Sequence, residues 1–434
     1  MPIKYGTPGA VELLSEYLFL ASQSKELLIS KMSSPFPANA MSRAAAGGKV
    51  YTSNYYPIVE CLDLKAKAGS EVRFNLRGPV YGPPAKGDEN FEGTGKRLPW
   101  DNASLKLGFS AFPVYAGSIV DQQVTQEDLY VNAQDASITW AQGFANEASI
   151  VHLYGDRGYE TKKNWSVPLA GTSDLSHYLD NSVLPPSRNR HFRSDGDTIV
   201  DITNTAGVLD FATTDVMTLR TVEKIITENN ESTYPVMGCK FDGDDLGAEE
   251  PVSVLLVSER QYDTIVATGG NQIQTLMSNA LSRANRPGQS DVFKRPALLW
   301  KGCFITIQPR PVRFYPGNSM KYCSSLIAET TTSATVPTGA GWDNTRAVDR
   351  AIFLGAMALG KVIGGHNASK FGIHKTLAGF MWSEKWLNHD TKLEVAAMML
   401  QSFGKFRFDL DWGGTVQPTD YGVMAIDSVV EVKS

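Results

Sequence analysis

The spacing of apolar positions changes period along this chain, and each period predicts an element. Residues 11–32 place Val11, Leu14, Leu18, Ala21 and Leu28 on one face, the repeat of a one-sided helix. Pro35 and Pro37 end that repeat, and Ala/Gly-rich sequence through Gly48 predicts an extended strap. Two readings fit: an N-terminal arm leaving the main body, or a helix docked on its own domain. From Glu71 the period becomes two, with Val72, Phe74 and Leu76 on one face and Arg73, Asn75 and Arg77 on the other. Leu105, Leu107, Phe109 and Ala111 alternate in the same way with Lys106, Gly108 and Ser110. Between these runs lies GPVYGPPAKGDENFEGTGKRLPWDNAS, rich in Gly, Pro and charge and poor in core-forming residues. This predicts a long antiparallel hairpin whose distal part projects from the body. A two-stranded ribbon is marginal in water, so cover by a neighbouring subunit is expected.

The period then lengthens. Thr125 and Asp128 make a capping-box-like start, and Leu129, Ala133, Ala136, Trp140, Phe144, Ala148 and Val151 follow at steps of three and four. The spacing predicts a helix of about seven or eight turns with a single narrow apolar stripe. Gly155 stops it. Residues 159–205 carry turn signals: Pro185-Pro186, a basic cluster at Arg188, Arg190, His191 and Arg193, and Asp195-Gly196-Asp197. They read as a surface-exposed loop region. A second helix is expected over 213–229, capped by Thr214 or Asp215, with Val216, Leu219, Val222 and Ile226 inward. Buried strands are expected at 252–257 and 303–307, helices at 271–284 and 345–363, and strands from Lys375 to a closing run at 423–426. The sum is a mixed α+β chain without the regular βα repeat of a doubly wound sheet or barrel.

Length and composition narrow the class. At 434 residues the chain is long enough for two or three lobes. Its 42% apolar and 20% charged residues are ordinary for a globular protein. A net charge of −5 argues against a surface that grips nucleic acid non-specifically, and it suits a container for DNA. Cys61, Cys239, Cys303 and Cys323 show no paired spacing and read as small buried residues in a reducing compartment. No run has the apolar length of a membrane span, and no export signal is visible, so folding in a cytoplasm is expected.

Candidate chemistry fails at named positions. There is no GxSxG elbow, and the six histidines form no HExxH set. His366 and His374 are eight apart, a spacing that no helix turns to one ligand face. Gly93-Thr94-Gly95-Lys96 lacks the first glycine of a phosphate loop, and Arg97 stands where the magnesium-binding hydroxyl belongs. Asp242-Gly243-Asp244-Asp245 puts Leu246 at a ligand position of a calcium loop. Arg188, Arg190 and Arg193 suit either nucleic acid or acidic residues of a neighbour. No catalytic, cofactor or metal site is assigned. A hydrolytic enzyme with an acid pair on unpatterned loops, or another shell- or tail-forming subunit, stays open as an alternative.

In order along the chain, several segments resemble the major capsid proteins of tailed phages with the Hong Kong 97 fold. They are GSEVRFNLRGPVYG, FEGTGKRLPW, the long helix ending LYGDRG, TTDVMTLRTVEKI, VSVLLVSERQYDTI, WKGCFITIQPRPV, DRAIFLGAMALG and YGVMAIDSVV. Their shared order carries the resemblance. Residues 159–205 and the Thr-rich run at 330–335 match nothing in it and read as surface insertions.

The resemblance implies an N-terminal arm over residues 1–70, an extended hairpin loop over 71–121 and a peripheral domain with a spine helix over 122–212. It implies an axial domain over 213–365 and C-terminal strands over 366–434 returning to the peripheral domain. It further implies self-assembly, as hexamers and pentamers, into an icosahedral shell around a packaged double-stranded DNA genome. Scaffold, portal and decoration proteins are the other implied partners, with no cofactor and no membrane. The virion capsid is the implied location, reached by assembly in the host bacterial cytoplasm. Val72, Phe74, Leu76, Leu107 and Phe109 are then expected to be partly buried between chains, with Trp100 as an anchor and Leu14 and Leu18 as arm contacts. For the base of the hairpin, packing within its own subunit remains the competing expectation. Lys86 and Lys96 lie on the hairpin, but no partner or promoting carboxylate is visible, so no crosslink is expected.

Overall fold

A ladder of nine antiparallel pairs joins strand Arg346–Leu354 to strand Val423–Glu431, from Arg346↔Glu431 to Leu354↔Val423. Both strands are buried almost throughout, and together they form the centre of the protein. In the computed structural model, residues 32–432 are described except 64–68, 78–83, 85, 87–91, 93–94, 96–99, 125–127, 160–163, 170–174, 243–249, 285–296, 340, 343–344 and 366–379.

The central sheet runs Ala297–Trp300, Cys303–Ile307, Ser253–Val257, Arg346–Leu354, Val423–Glu431, His191–Asp195 and Thr198–Asp201, with Val312–Phe314 also paired to Arg346–Leu354. Alternation divides its side chains between two layers. Val254, Leu256, Phe304, Ile352 and Leu354 face the C-terminal half of the long helix Leu129–Tyr154. Leu255, Val257, Ile305, Phe353 and Met424 face Leu219–Glu231, Glu259–Gly269 and Gln272–Ala284. Because both faces are covered, burial is continuous along these strands, and even Asp349, Arg350 and Asp427 lie inside.

That continuity explains a correction: 345–363 is not a helix. It is the strand Arg346–Leu354 and, beyond a short turn, the strand Leu359–Gly364. A run buried on every side, its Asp349, Arg350 and Lys361 included, has no polar face whose period would separate a strand from a buried helix. At the turn, a β-carbon on Gly355 would overlap the carbonyl oxygen of Met237, so no side chain fits there.

The long helix begins at Asp128, whose carboxylate accepts from the backbone N–H groups of Tyr130 and Val131. Thr125 lies outside the described residues. Gly155, at φ 69°, ends the helix in the left-handed conformation. The helix is one-sided only in its first half. There it covers the three-stranded sheet of Ser110–Ser118, Lys392–Met399 and Phe380–Leu387, with Trp140 stacked between Phe112 and Phe144 at 4.8 and 5.2 Å. From Ala145 to Tyr154 it is buried on all sides, so the single stripe expected of it does not extend to its end.

Two further expectations change. The second helix is Leu219–Glu231, capped by Thr218 in a reciprocal box with Thr221. The expected cap Asp215 instead accepts from Arg193 and from the backbone of Ala212. Nor are residues 159–205 a surface loop throughout. They include the helix Leu175–Leu179 and the strand His191–Asp195, which lies parallel to Val423–Glu431 in the central sheet. Polar composition misled here because the polar groups are buried in pairs. The Thr-rich strand Thr331–Thr335 pairs with Ser319–Cys323 and with Val208–Leu209, beside Asn204–Thr205, so both unmatched stretches meet in one small sheet.

A fourth sheet joins Val50–Tyr51, Ile58–Asp63, Leu359–Gly364 and Gln401–Lys405. The chain enters it at Met32, which is buried and accepts from Ile58 N–H. Residues 11–31, with Leu14 and Leu18, lie outside the described residues, as do His366 and His374. All four cysteines are free and buried.

Candidate assembly surfaces

Strand Glu71–Arg77 pairs antiparallel with Trp100–Lys106, from Glu71↔Lys106 to Arg77↔Trp100. Alternation sends Val72, Phe74, Leu76 and Leu105 to one face, and that face is core. Phe74 lies 4.9 Å from Phe406 and 5.5 Å from Tyr51, ring centre to ring centre. Leu105 rests on Gly360 and Gly404, and Leu107 on Gly364, where a β-carbon would overlap the leucine side chain. Asn181 holds the end of the strand, accepting from Lys106 N–H at 2.9 Å and donating to Lys106 C=O at 3.2 Å. The expectation that Val72, Phe74, Leu76 and Leu107 are shared between chains is therefore corrected. Each is buried in its own subunit, because a second hairpin, Arg407–Trp412 with Thr415–Asp420, and the fourth sheet supply their cover.

The opposite face is free of such cover. Trp100 is 62% exposed, and Arg73, Asn75, Asn102, Ser104 and Lys106 are exposed beside it. Phe109, just past the hairpin, is also exposed. A second surface surrounds the start of the long helix. Val120, Val124 and Val131 are exposed there, Val124 by 79%, among the exposed carboxylates of Asp121, Asp128 and Asp135. Hydrogen bonds from the backbone and hydroxyl of Ser118 hold Asp121 below the usual carboxylate range. The hairpin face carries Arg73 and Lys106 with Glu71 opposite Lys106, and the ridge carries three carboxylates with Lys392 near Asp121.

The groups that brace these surfaces are buried ion pairs, which the sequence reading missed. Asp427 accepts from Arg350 at 2.8 Å and lies 2.7 Å from His191 Nε2. Arg350 also donates to the carbonyl of Tyr154, tying the last turn of the long helix to the central sheet. Burial raises the Asp427 pKa, but Arg350 and His191 outweigh it and hold the carboxyl down at about 2. Arg313 grips Asp349 with two bonds, at 2.6 and 2.7 Å. Asp420 accepts from Lys405 at 2.7 Å and Arg407 at 2.8 Å. The basic cluster is consumed in the same way. Arg188 pairs with Asp201, Arg193 with Asp215, and Arg190 is buried, donating to Tyr234 C=O and lying over the Trp412 ring. The one sequence signal was the basic residues of 188–193 recurring with aspartates elsewhere, and it carries no pairing information.

Among the described residues no group of three or more His, Cys, Asp or Glu is placed to hold a metal ion. Burial pushes the Cys61 thiol up to about 12 and raises those of Cys239 and Cys303 further. No described helix is long and apolar enough to cross a membrane.

An α+β body on a long helix carries a hairpin whose outer face, like the ridge at the helix start, is left uncovered within the chain. Comparison with known proteins gives this fold a family: the chain belongs to the phage capsid protein family, whose model matches residues 15–432. Its fold is similar to the capsid of Ralstonia phage GP4, with TM-score 0.63 at 19% identity over 88% of this chain and 89% of that one. It is also similar to the head structure of Helicobacter pylori bacteriophage KHP40, with TM-score 0.51 at 10% identity over 87% and 88%. The cyanophage Pam1 capsid follows with TM-score 0.50 at 12% identity over 85% and 87%. Among curated proteins none matches it in sequence. The fold is of the Hong Kong 97 type, and the protein is a structural major capsid subunit that associates with its own copies in the virion shell.

Proposed function

We propose that the shell grows by a head-to-tail contact in which the exposed hairpin face of one subunit lies on the acidic ridge of the next. The carrying observation is complementarity on a single molecule. Arg73, Lys106 and Trp100 lie on one face, with a single carboxylate, Glu71, beside Lys106, and Asp121, Asp135, Val124 and Val131 lie on the other. A heterologous contact of this kind closes into rings when its rotation allows, which suits hexamers and pentamers. Opposite charge steers and registers the partners, while the aromatic and valine side chains supply buried area. Phe109 belongs to the same contact in this reading, and Leu14 and Leu18 of the arm add a further one.

In the same reading residues 1–70 are the arm and 71–121 the hairpin with its return strand. Residues 122–212 and 366–434 make the peripheral body, and 213–365 the axial body. The shell encloses double-stranded DNA without gripping it, in keeping with the net charge of −5. Assembly takes place in the host cytoplasm with scaffold and portal proteins.

A charge swap tests the contact. Arg73→Glu alone and Asp135→Lys alone should each reduce the yield of particles or rings in sizing and negative-stain images. The double variant should recover it, because the pair is then reversed and still opposite. Failure of the double variant to recover, with both singles folded, would remove this pairing.

A further inference from the structure

The root of the hairpin is held by side chains where a further strand would otherwise pair. Lys106 closes the strand Trp100–Lys106, and its N–H and C=O both turn to Asn181. The Asn181 amide accepts from the N–H at 2.9 Å and donates to the C=O at 3.2 Å. It also donates to Phe403 C=O at 2.9 Å, which ties the hairpin to the strand Gln401–Lys405. The Ser402 hydroxyl donates to the same Lys106 carbonyl.

Asp180 sits beside this clamp in an unusual setting for a carboxylate. Its backbone is left-handed, at φ 63°, just past the helix Leu175–Leu179. Its carboxyl group rests on Gly108, two residues beyond Lys106, where a β-carbon would lie 1.7 Å from Asp180 Oδ2. Among the described residues that carboxyl has no hydrogen bond or ion pair. Next to it opens a cavity of about 300 Å³, lined in part by Ser104, Lys106, Asp180, Glu329, Lys405 and Arg407. Lys405 and Arg407 are both spent on Asp420, and Glu329 pairs with Arg407. Lys106 is exposed. Burial raises the Asp180 pKa from the ordinary 3.8 to about 6, and His177 on the adjacent helix opposes it.

We propose that residues 180 and 181 are an acid-closed clamp on the hairpin root. Neutral Asp180 seats on Gly108, and Asn181 then grips Lys106. Ionised Asp180 needs water, which the contact with Gly108 excludes and the cavity supplies, so ionisation draws the segment away and loosens the grip. The closed clamp holds the Asp180 proton more tightly than the open one. Closure is therefore strongest below pH 3.8 and is lost as pH rises to about 6. Asn181 is in this sense a positioning residue for the hairpin. The inference concerns a single subunit and does not rest on the hairpin contact proposed above.

Hydrogen exchange of the Lys106 amide tests it, read residue by residue on dilute, unassembled subunit and divided by the unfolded-chain rate at each pH. In wild type that ratio should rise about 25-fold from pH 4.5 to pH 7, the linkage for a proton held at about 3.8 open and about 6 closed. Asp180→Asn keeps a residue that tolerates the left-handed backbone and should change less than about threefold over that range. Asn181→Ala should exchange fast at both pH values. Gly108→Ala places a methyl where the carboxyl rests, so its clamp should already be open at pH 4.5. A flat wild-type profile overturns the proposal, and so does an equal rise in Asp180→Asn. Wild-type protection at pH 4.5 in Asn181→Ala or Gly108→Ala overturns it as well. Should circular dichroism show Asp180→Asn unfolded, Asp180→Gly is read by the same criterion.

Discussion

His152 sits on the fully buried half of the long helix, and its environment sets a pH dependence. Burial pushes its pKa down to about 4, and Lys405 acts in the same direction. The unfolded chain takes up that proton near the ordinary histidine value of 6.5, while the folded chain refuses it until about 4. Stability is therefore lost as pH falls through this window, by about 3 kcal/mol at most, and levels off below it. His191 is shifted down as well, by burial first, with Asp427 opposing. Asp180 works the other way, because burial raises it to about 6, which favours the fold as pH falls. The difference between wild type and His152→Leu removes that term. Denaturant midpoints measured from pH 7 to pH 4 should fall less steeply in the variant. An equal fall would show that the histidine is not held neutral by the fold.

At the scale of elements, the hairpin has two faces with separate duties, and substitutions on them should part. Leu105, seated on Gly360 and Gly404, is core, so Leu105→Ala should lower subunit stability by about 2–5 kcal/mol. Trp100, five residues away in the same strand, is mostly exposed. Trp100→Ala should leave the unfolding midpoint within about 0.5 kcal/mol of wild type and reduce particle yield. Loss of stability in Trp100→Ala with normal assembly would reverse the two roles. The alternation that predicts this hairpin was plain in Glu71 to Arg77, and so was the long helix in its steps of three and four. Which face of the hairpin its own subunit covers was not legible. That cover comes from Phe406, Phe408 and Leu410, more than three hundred residues along the chain.

At the scale of the molecule, one sheet takes strands from residues 191–195, 253–257, 303–307, 346–354 and 423–431. One continuous ladder thus joins segments from across the chain, and Arg350 links it to the end of the long helix. No segment can lose its strand without exposing the core on both faces of that sheet. Unassembled subunit should therefore unfold in one transition, with near- and far-ultraviolet circular dichroism coincident along a denaturant series. Two separated transitions would show that parts of the chain unfold independently.

Local periodicity and capping chemistry were enough to place the long helix and the first hairpin strand, and short apolar runs placed the strands at 252–257 and 303–307. Of the alternation at 105–111 only 105–106 belongs to the second hairpin strand, Trp100–Lys106, and Ser110–Ser118 joins another sheet. The failure at 345–363 and in the basic run 188–193 has one physical cause. A strand covered on both faces loses its period, and a buried charge looks like a surface charge until its partner is placed beside it. Only the tertiary structure pairs Arg346–Leu354 with Val423–Glu431 and brings Asp427 to Arg350 and His191. By itself the sequence determined which segments could be helix or strand. The packing decided which of their faces were left for another subunit.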